Sequence, residues 1–177
     1  MKKGIVIRET TRKDFDTVSR FIELVDNDFY PPLSQRGGGI CERVENSLAT
    51  PDANYLVAQL RYPDISDQLQ GFVAMVGCTE KWKREDGAYI NFFATHPSCR
   101  KNGIGELLYA KLEEKLVGKG FRTIYLCTWS GNKKAMRFYE KLGYRVYSII
   151  LNDRGEGINT FNYRKKLSTA EICKTII

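Results

Sequence analysis

A chain of 177 residues with 42% hydrophobic and 28% charged side chains carries material for one domain with a full core and too little for two ordinary ones. No apolar run approaches the ~20 residues that a membrane-spanning helix requires. The net charge of +7 calls for an anionic partner, yet no basic tail or aromatic-rich basic motif points to nucleic acid or a lipid surface, so neither is expected. A phosphorylated small ligand satisfies the charge equally well.

The start of the chain, MKKGIVIRE, returns to charge after three apolar residues, which is no signal peptide, and a cytoplasmic location follows by default. Cys41, Cys78, Cys99, Cys127 and Cys173 form no C-x-x-C pair, and His96 is the single histidine. The thiols therefore read as free, and no metal site is expected.

In chain order, Lys3 to Arg8 alternates as a first strand. Thr10 or Thr11 caps a helix with Phe15, Val18, Phe21, Ile22 and Val25 at helical spacing, which stops before Pro31. Residues 26–39 (DNDFYPPLSQRGGG) read as an irregular segment, followed by a short helix near Ile40 to Ala49. Tyr55 to Leu60 and Gln70 to Val76 form an antiparallel hairpin across a polar turn with Pro63 and Asp64. After a turn at Lys81 to Asp86, Ala88 to Thr95 (AYINFFAT) is a strand ended by His96-Pro97.

A helix from Gly103 to about Val117 carries Ile104, Leu108, Leu112 and Leu116 on one stripe with Leu107 beside it, closed by Gly118 and Gly120. Thr123 to Trp129 (TIYLCTW) is a buried-type strand. Asn132 caps a helix with Ala135, Phe138, Tyr139 and Leu142 on one face, and Gly143 ends it. Tyr144 to Leu151 and Ile158 to Lys166 form a last hairpin whose outer edge could pair with a second copy, and Ser168 to Ile177 is a short helix or tail. Hairpins on both sides of one strand-helix-strand crossover give a mixed α/β, α+β-like sheet flanked by helices.

The sharpest chemical signal is Arg100-Lys101-Asn102-Gly103-Ile104-Gly105, set between a strand and an amphipathic helix. Glycines let backbone approach a ligand, and the first helical N–H groups lack partners in the helix. The helix macrodipole favours an anion there, and Arg100 and Lys101 add cations. The run THPSCRKNGIGELL resembles the R-x-x-G-x-G/A loop of the GCN5-related N-acetyltransferase (GNAT) superfamily. WSGNKKAMRFYEKLGY resembles the Asn...A-x-x-x-Y-x-x-x-G-F/Y segment that follows it there. The strand order is similar over nearly the whole chain, so residues 1–167 are expected to form one such domain, with a mostly antiparallel sheet, one parallel crossover at the cofactor site and helices on both faces.

The resemblance implies acetyl transfer from acetyl-CoA to an amine of a small molecule or peptide. It puts the backbone of Phe93, Ala94 and Thr95 along the pantetheine, and the amides of Asn102, Gly103, Ile104, Gly105 and Glu106 on the pyrophosphate beside Arg100 and Lys101. Asn132 would reach the pantetheine arm as well as capping its helix. Tyr139 would protonate the departing CoA thiolate, or else be a core aromatic beside Phe138 and Leu142.

Where many relatives carry a carboxylate, this chain has Asn91, and an amide accepts no proton. Asn91 then orients a water or the acceptor, and Glu80, Asp26 and Asp28 are the substitute bases. Phe29, Tyr30 and Leu33 from the irregular segment, and Trp129, could wall the acceptor pocket. Cys127 invites a covalent reading but lacks a histidine to activate it, and His96 reads as a turn residue. A non-catalytic acyl-CoA-binding regulatory module and a transferase of another acyl group are the alternatives; a nucleic-acid binder has only the charge behind it.

Overall fold

The computed structural model describes residues 4–50, 53–60 and 71–168. Lys3, Gln70, the turn with Pro63 and Asp64, and the tail beyond Ser168 lie outside the described residues. Two compact units are distinguished, one drawn from Met1–Thr79 with Asn91–Lys115, the other from Glu80–Ile90 with Leu116–Ile177.

In the first unit, β1 (Ile5–Glu9) leads through a 3-10 turn at Arg12–Asp14 into α1 (Phe15–Val25). The Asp14 carboxylate receives the Thr11 N–H at 2.7 Å and the Thr11 hydroxyl at 3.1 Å. Arg8 forks onto the same group at 2.9 and 2.6 Å, so one carboxylate ties the strand to the helix start. Val18, Phe21, Ile22 and Val25 are buried, as the periodicity predicts.

The irregular segment contains 3-10 turns at Asp26–Asp28 and Leu33–Gln35 and a cis Tyr30-Pro31 bond, then passes into α2 (Gly39–Ala49). β2 (Ala53–Leu60) pairs antiparallel with β1 and with β3 (Phe72–Glu80). Both strands of this hairpin extend beyond the sequence expectation. Gly77 has weak strand preference, yet Gly77, Cys78 and Thr79 face Tyr55, Asn54 and Ala53 across the ladder, and pairing overrides the propensity of Gly77. The core of this unit joins Val18, Ile22, Leu33, Val44, Met75 and Phe92.

β4 (Gly87–Thr95) runs through both units. At its start a Cβ on Gly87 would lie 2.3 Å from the Trp82 carbonyl oxygen, so only glycine fits the close turn that precedes it. α3 (Ile104–Gly118) carries the expected stripe: Ile104, Leu108, Leu112 and Leu116 are all buried. Leu107 is not part of it and is 38% exposed, because Tyr109 rather than Leu107 widens the buried face.

In the second unit β5 (Thr123–Trp129) pairs parallel with β4, from Gly87 opposite Thr123 to Tyr89 opposite Tyr125. α4 (Lys133–Lys141), β6 (Arg145–Ile150) and β7 (Thr160–Lys166) follow. β7 lies between β5 and β6, antiparallel to both, and the strand order is β1-β2-β3-β4-β5-β7-β6. This is the mixed, mostly antiparallel sheet with one parallel pair that the element sequence requires. No helix among the described residues is long and apolar enough to cross a membrane.

The Arg8 hydrogen bonds hold the Asp14 carboxyl down to about 2, against opposing burial and with help from Thr11. A carboxylate depressed in the folded state adds stability that is full above about pH 4 and is lost as pH falls through its folded value. Asp14→Asn is expected to lower Tm at neutral pH and to flatten the fall in Tm between about pH 4 and pH 2. A thermal-melting series in which the variant keeps the wild-type acid slope would show that the pair contributes none of it.

Candidate active site

The end of β4 and the loop after it belong to the first unit. His96 N–H donates to Val73 O at 2.8 Å, and His96 Nδ1 accepts from Ser98 N–H at 3.2 Å. The imidazole thus caps a 3-10 turn at Pro97–Cys99, the turn role expected of it. Burial, then the Arg100 charge, lowers its pKa.

Lys101 (φ 63°) and Gly103 (φ 74°) then take left-handed backbone, and α3 begins at Ile104 with its first bond from Leu107 N–H to Gly103 O at 3.1 Å. The amides of residues 102–106 occupy this turn and the first helical turn, where N–H groups point back along the axis with no acceptor in the helix. Glu106 is the acidic residue of that turn. Its side chain favours the helix and opposes a bound anion, so only its backbone suits one.

Arg100 is held by two partners: Nε donates to Thr95 O at 3.1 Å and Nη2 pairs with the Asp28 carboxylate. The guanidinium therefore ties the loop to the end of β4 and to the turn after α1. Along β4, Phe92 and Ala94 are buried, while Phe93 and Thr95 are half-buried and Asn91 is exposed, the alternation of a strand.

Asn91 stands at a cavity of about 370 Å³ that is lined also by Val18, Ile22, Arg43, Ser47, Tyr55 and Phe92. Its Nδ2 donates to Thr79 Oγ1 at 2.9 Å, and its Oδ1 lies 3.4 Å from the Tyr55 hydroxyl, which is 2.9 Å from Ser47 Oγ. Burial raises the Tyr55 pKa, so its hydroxyl keeps its proton. Leu33 also lines the cavity, and Phe29 stacks on Phe92 with ring centroids 5.2 Å apart, whereas Tyr30 is outside the lining and 39% exposed.

Tyr55, Ser47 and Arg43 escaped sequence reasoning. The available signal was Gly77, opposite Tyr55 in the ladder: a Cβ there would sit 2.2 Å from the Tyr55 ring. A glycine inside a strand marks a close approach.

The three carboxylates considered as bases are engaged. Asp26 accepts from the Ser34 N–H at 3.1 Å and from its hydroxyl, Asp28 pairs with Arg100, and Glu80 pairs with Lys119. Burial pushes the Asp26 pKa up, but the bonds from Ser34 and Leu33 outweigh it and the net shift is downward.

In the second unit, Asn132 Oδ1 accepts the Ala135 N–H at 3.2 Å and so caps α4. This places Tyr139 among Phe138, Tyr144 and Tyr163, with ring centroids 5.7, 5.8 and 6.2 Å away. Burial pushes its phenol well above the ordinary range, so it is protonated at neutral pH.

On β5, Cys127 Sγ receives the Tyr89 hydroxyl at 3.1 Å and Arg154 Nη2 at 3.5 Å. The Arg154 guanidinium also lies 5.8 Å from the centroid of the Trp129 ring. Tyr89 and Arg154 were not singled out in the sequence, because the bonds that give them meaning join β4, β5 and the β6–β7 connection.

Residues 20–144 match the model of the acetyltransferase (GNAT) family. N-alpha-acetyltransferase 60 of Drosophila melanogaster is 36% identical over 84 residues, which cover 44% of this chain and 30% of that protein. The chain thus matches less than half the length of this curated relative. A structure described as an acetyltransferase of the GNAT family from Desulfovibrio desulfuricans superposes with a TM-score of 0.74 at 18% identity, over 93% of this chain and 99% of that one. An aminoglycoside 6'-N-acetyltransferase complexed with coenzyme A gives 0.72 at 22% identity, over 92% and 97%. With a family model covering well over half of its residues and the same fold in these structures, the chain belongs to the acetyltransferase (GNAT) family.

Proposed function

We propose that the chain moves an acetyl group from acetyl-CoA to a primary amine of a small molecule or peptide by direct attack. The observation that carries this reading is the loop at Arg100–Gly105, where left-handed backbone at Lys101 and Gly103 delivers a run of amides directly into the first turn of α3. Such amides suit a pyrophosphate. In this reading the amides of Asn102 to Glu106 hold it, with Lys101 as a flexible cation, and Arg100 positions the loop through Asp28 and Thr95. The backbone of Phe93, Ala94 and Thr95 and the side chain of Asn132 hold the pantetheine.

Tyr139 serves the leaving group. A thiol's reference pKa of ~8.5 lies below a phenol's ~10, and burial raises this phenol further, so it donates a hydrogen bond or a proton to the departing thiolate. The acceptor class draws on two relatives, one a named N-alpha-acetyltransferase and the other an aminoglycoside acetyltransferase. Both names describe amine acceptors. The cavity beside Asn91 and Tyr55, with its apolar walls, suits an amine carried on a partly apolar body.

Thiol release from acetyl-CoA is expected with at least one amine in a panel of kanamycin, spermidine and short peptides with free N-termini. Tight acetyl-CoA binding with no release would favour a CoA-binding module instead. Faster release from propionyl-CoA or succinyl-CoA would reassign the acyl group.

Tyr139→Phe keeps the ring contacts and removes the hydroxyl. Its kcat is expected to fall about 10²-fold, with little change in the KM for acetyl-CoA. An unchanged kcat and pH profile would remove the acid role.

A further inference from the structure

We propose that the acceptor carries a carboxylate as well as its amine, and that Arg43 is the residue that reads it. The inference rests on the acyl-transfer reading above and narrows its acceptor class.

The cavity of about 370 Å³ beside Asn91 belongs wholly to the first unit and has the size of a small-molecule site. One of its walls is α2. Residues three and four apart share a helix face, so Arg43 stands with Asn46 and Ser47 on the side of α2 that lines the cavity. On β4 the lining continues with Asn91 and Phe92, immediately before the backbone of Phe93 to Thr95 that the acyl-transfer reading gives to the pantetheine. In that reading an acceptor held here lies beside its donor.

Arg43 is half-buried and differs from other arginines of this unit. Arg8 pairs with Asp14, Arg100 pairs with Asp28, and Arg36 donates to Pro31 O at 3.0 and 2.8 Å. Among the described residues Arg43 has no ion pair, and its hydrogen bond runs from Nη2 to Gly37 O at 3.4 Å. Its Nε is sealed from solvent with no hydrogen-bond partner among the same residues. Buried polar atoms are ordinarily satisfied. A charged group left incomplete at a cavity wall is a sign of a ligand, independent of the cavity itself.

A guanidinium offers its donors as a planar fork, and a carboxylate takes Nε–H and one Nη–H together. The bond to Gly37 is long for an N–H donor. Rotation about the outer side-chain torsions therefore exchanges a weak contact for a bidentate one and gives Nε its acceptor.

The other charge in the lining fits the same ligand. Glu42 also faces the cavity without an ion pair among the described residues, and its carboxylate lies against Gly38, where a Cβ would be 2.6 Å from Oε2. Glu42 and Arg43 are the charged residues of the lining, one of each sign. A ligand with an ammonium and a carboxylate meets both, whereas a polyamine meets only Glu42.

The test measures kcat/KM with acetyl-CoA for two sets of acceptors matched except in charge. One set pairs free amino acids with their carboxamides. The other pairs C-terminally amidated tripeptides that carry Asp or Glu in the first two positions with those that carry Asn or Gln. The set that is used tells a free amino acid from a peptide as the source of the carboxylate. Within it the acidic member is expected to be preferred about 10-fold or more, through a lower KM. Kanamycin and spermidine, which have no carboxylate, should be poorer acceptors. Arg43→Gln is expected to abolish the preference by loss on the acidic member, and Arg43→Lys to keep part of it. Titration calorimetry with the acidic member should show the same order of affinities.

Equal use of acidic and neutral members by the wild type would overturn the assignment, and this comparison needs no variant to fold. A preference that survives in Arg43→Gln would overturn it as well. A wild type inert with every amine would instead overturn the acyl-transfer reading on which the inference rests.

Discussion

Two parallel strands cannot be joined by a hairpin, and among the described residues β4 and β5 are the parallel pair in a mostly antiparallel sheet. The chain must therefore leave the sheet after Thr95, cross and return at Thr123, and α3 makes that crossing. A helix that follows a strand presents its N-terminal amides close to the strand's end. The loop from Arg100 to Gly105, with left-handed backbone at Lys101 and Gly103, leads the chain directly into the helix start on which the proposed anion site rests. The requirement of a crossover thus creates the feature from which the functional reading starts.

Within each unit the ionisable groups divide by what burial and partners do to them. Asp26 and Asp14 are held as carboxylates by donors, and Asp28 and Glu80 are engaged in ion pairs with Arg100 and Lys119. The phenols of Tyr55, Tyr89 and Tyr139 are pushed upward, first of all by burial in each case. Hydroxyls in that state give hydrogen bonds and do not accept protons as phenolates at neutral pH. A transferase reaction needs both a donor for the leaving thiolate and an acceptor for the ammonium proton. Tyr139 has the properties of the first.

Arg100 shows how a cation in the proposed anion loop can spend its charge on the protein itself. Its guanidinium is shared between Asp28 and the Thr95 carbonyl, so it braces the loop. In the same unit, the missing side chain of Gly77 makes room for the Tyr55 ring, which brings its hydroxyl within reach of Ser47 and Asn91 at the cavity. A small residue on one strand here decides the shape of a polar wall.

The elements were legible in the sequence because local physics specifies them. The stripe from Ile104 to Leu116, the Asn132 cap and the run from Thr123 to Trp129 each follow from periodicity or from a hydrogen bond three residues away. The glycine loop was legible for the same reason, since its conformation is set by its own residues. Pairing across strands was not: β3 continues to Glu80 past Gly77, whose strand preference is weak, held by partners about 25 residues earlier. Leu107 sat beside the stripe by counting and proved exposed. The setting of Cys127 was the least accessible, because the Tyr89 hydroxyl comes from 38 residues away and the Arg154 guanidinium from 27. Sequence alone determined where a glycine loop meets the start of a helix, a local property. Only tertiary structure decided which side chains surround the Cys127 sulfur, because those neighbours are far apart in chain order.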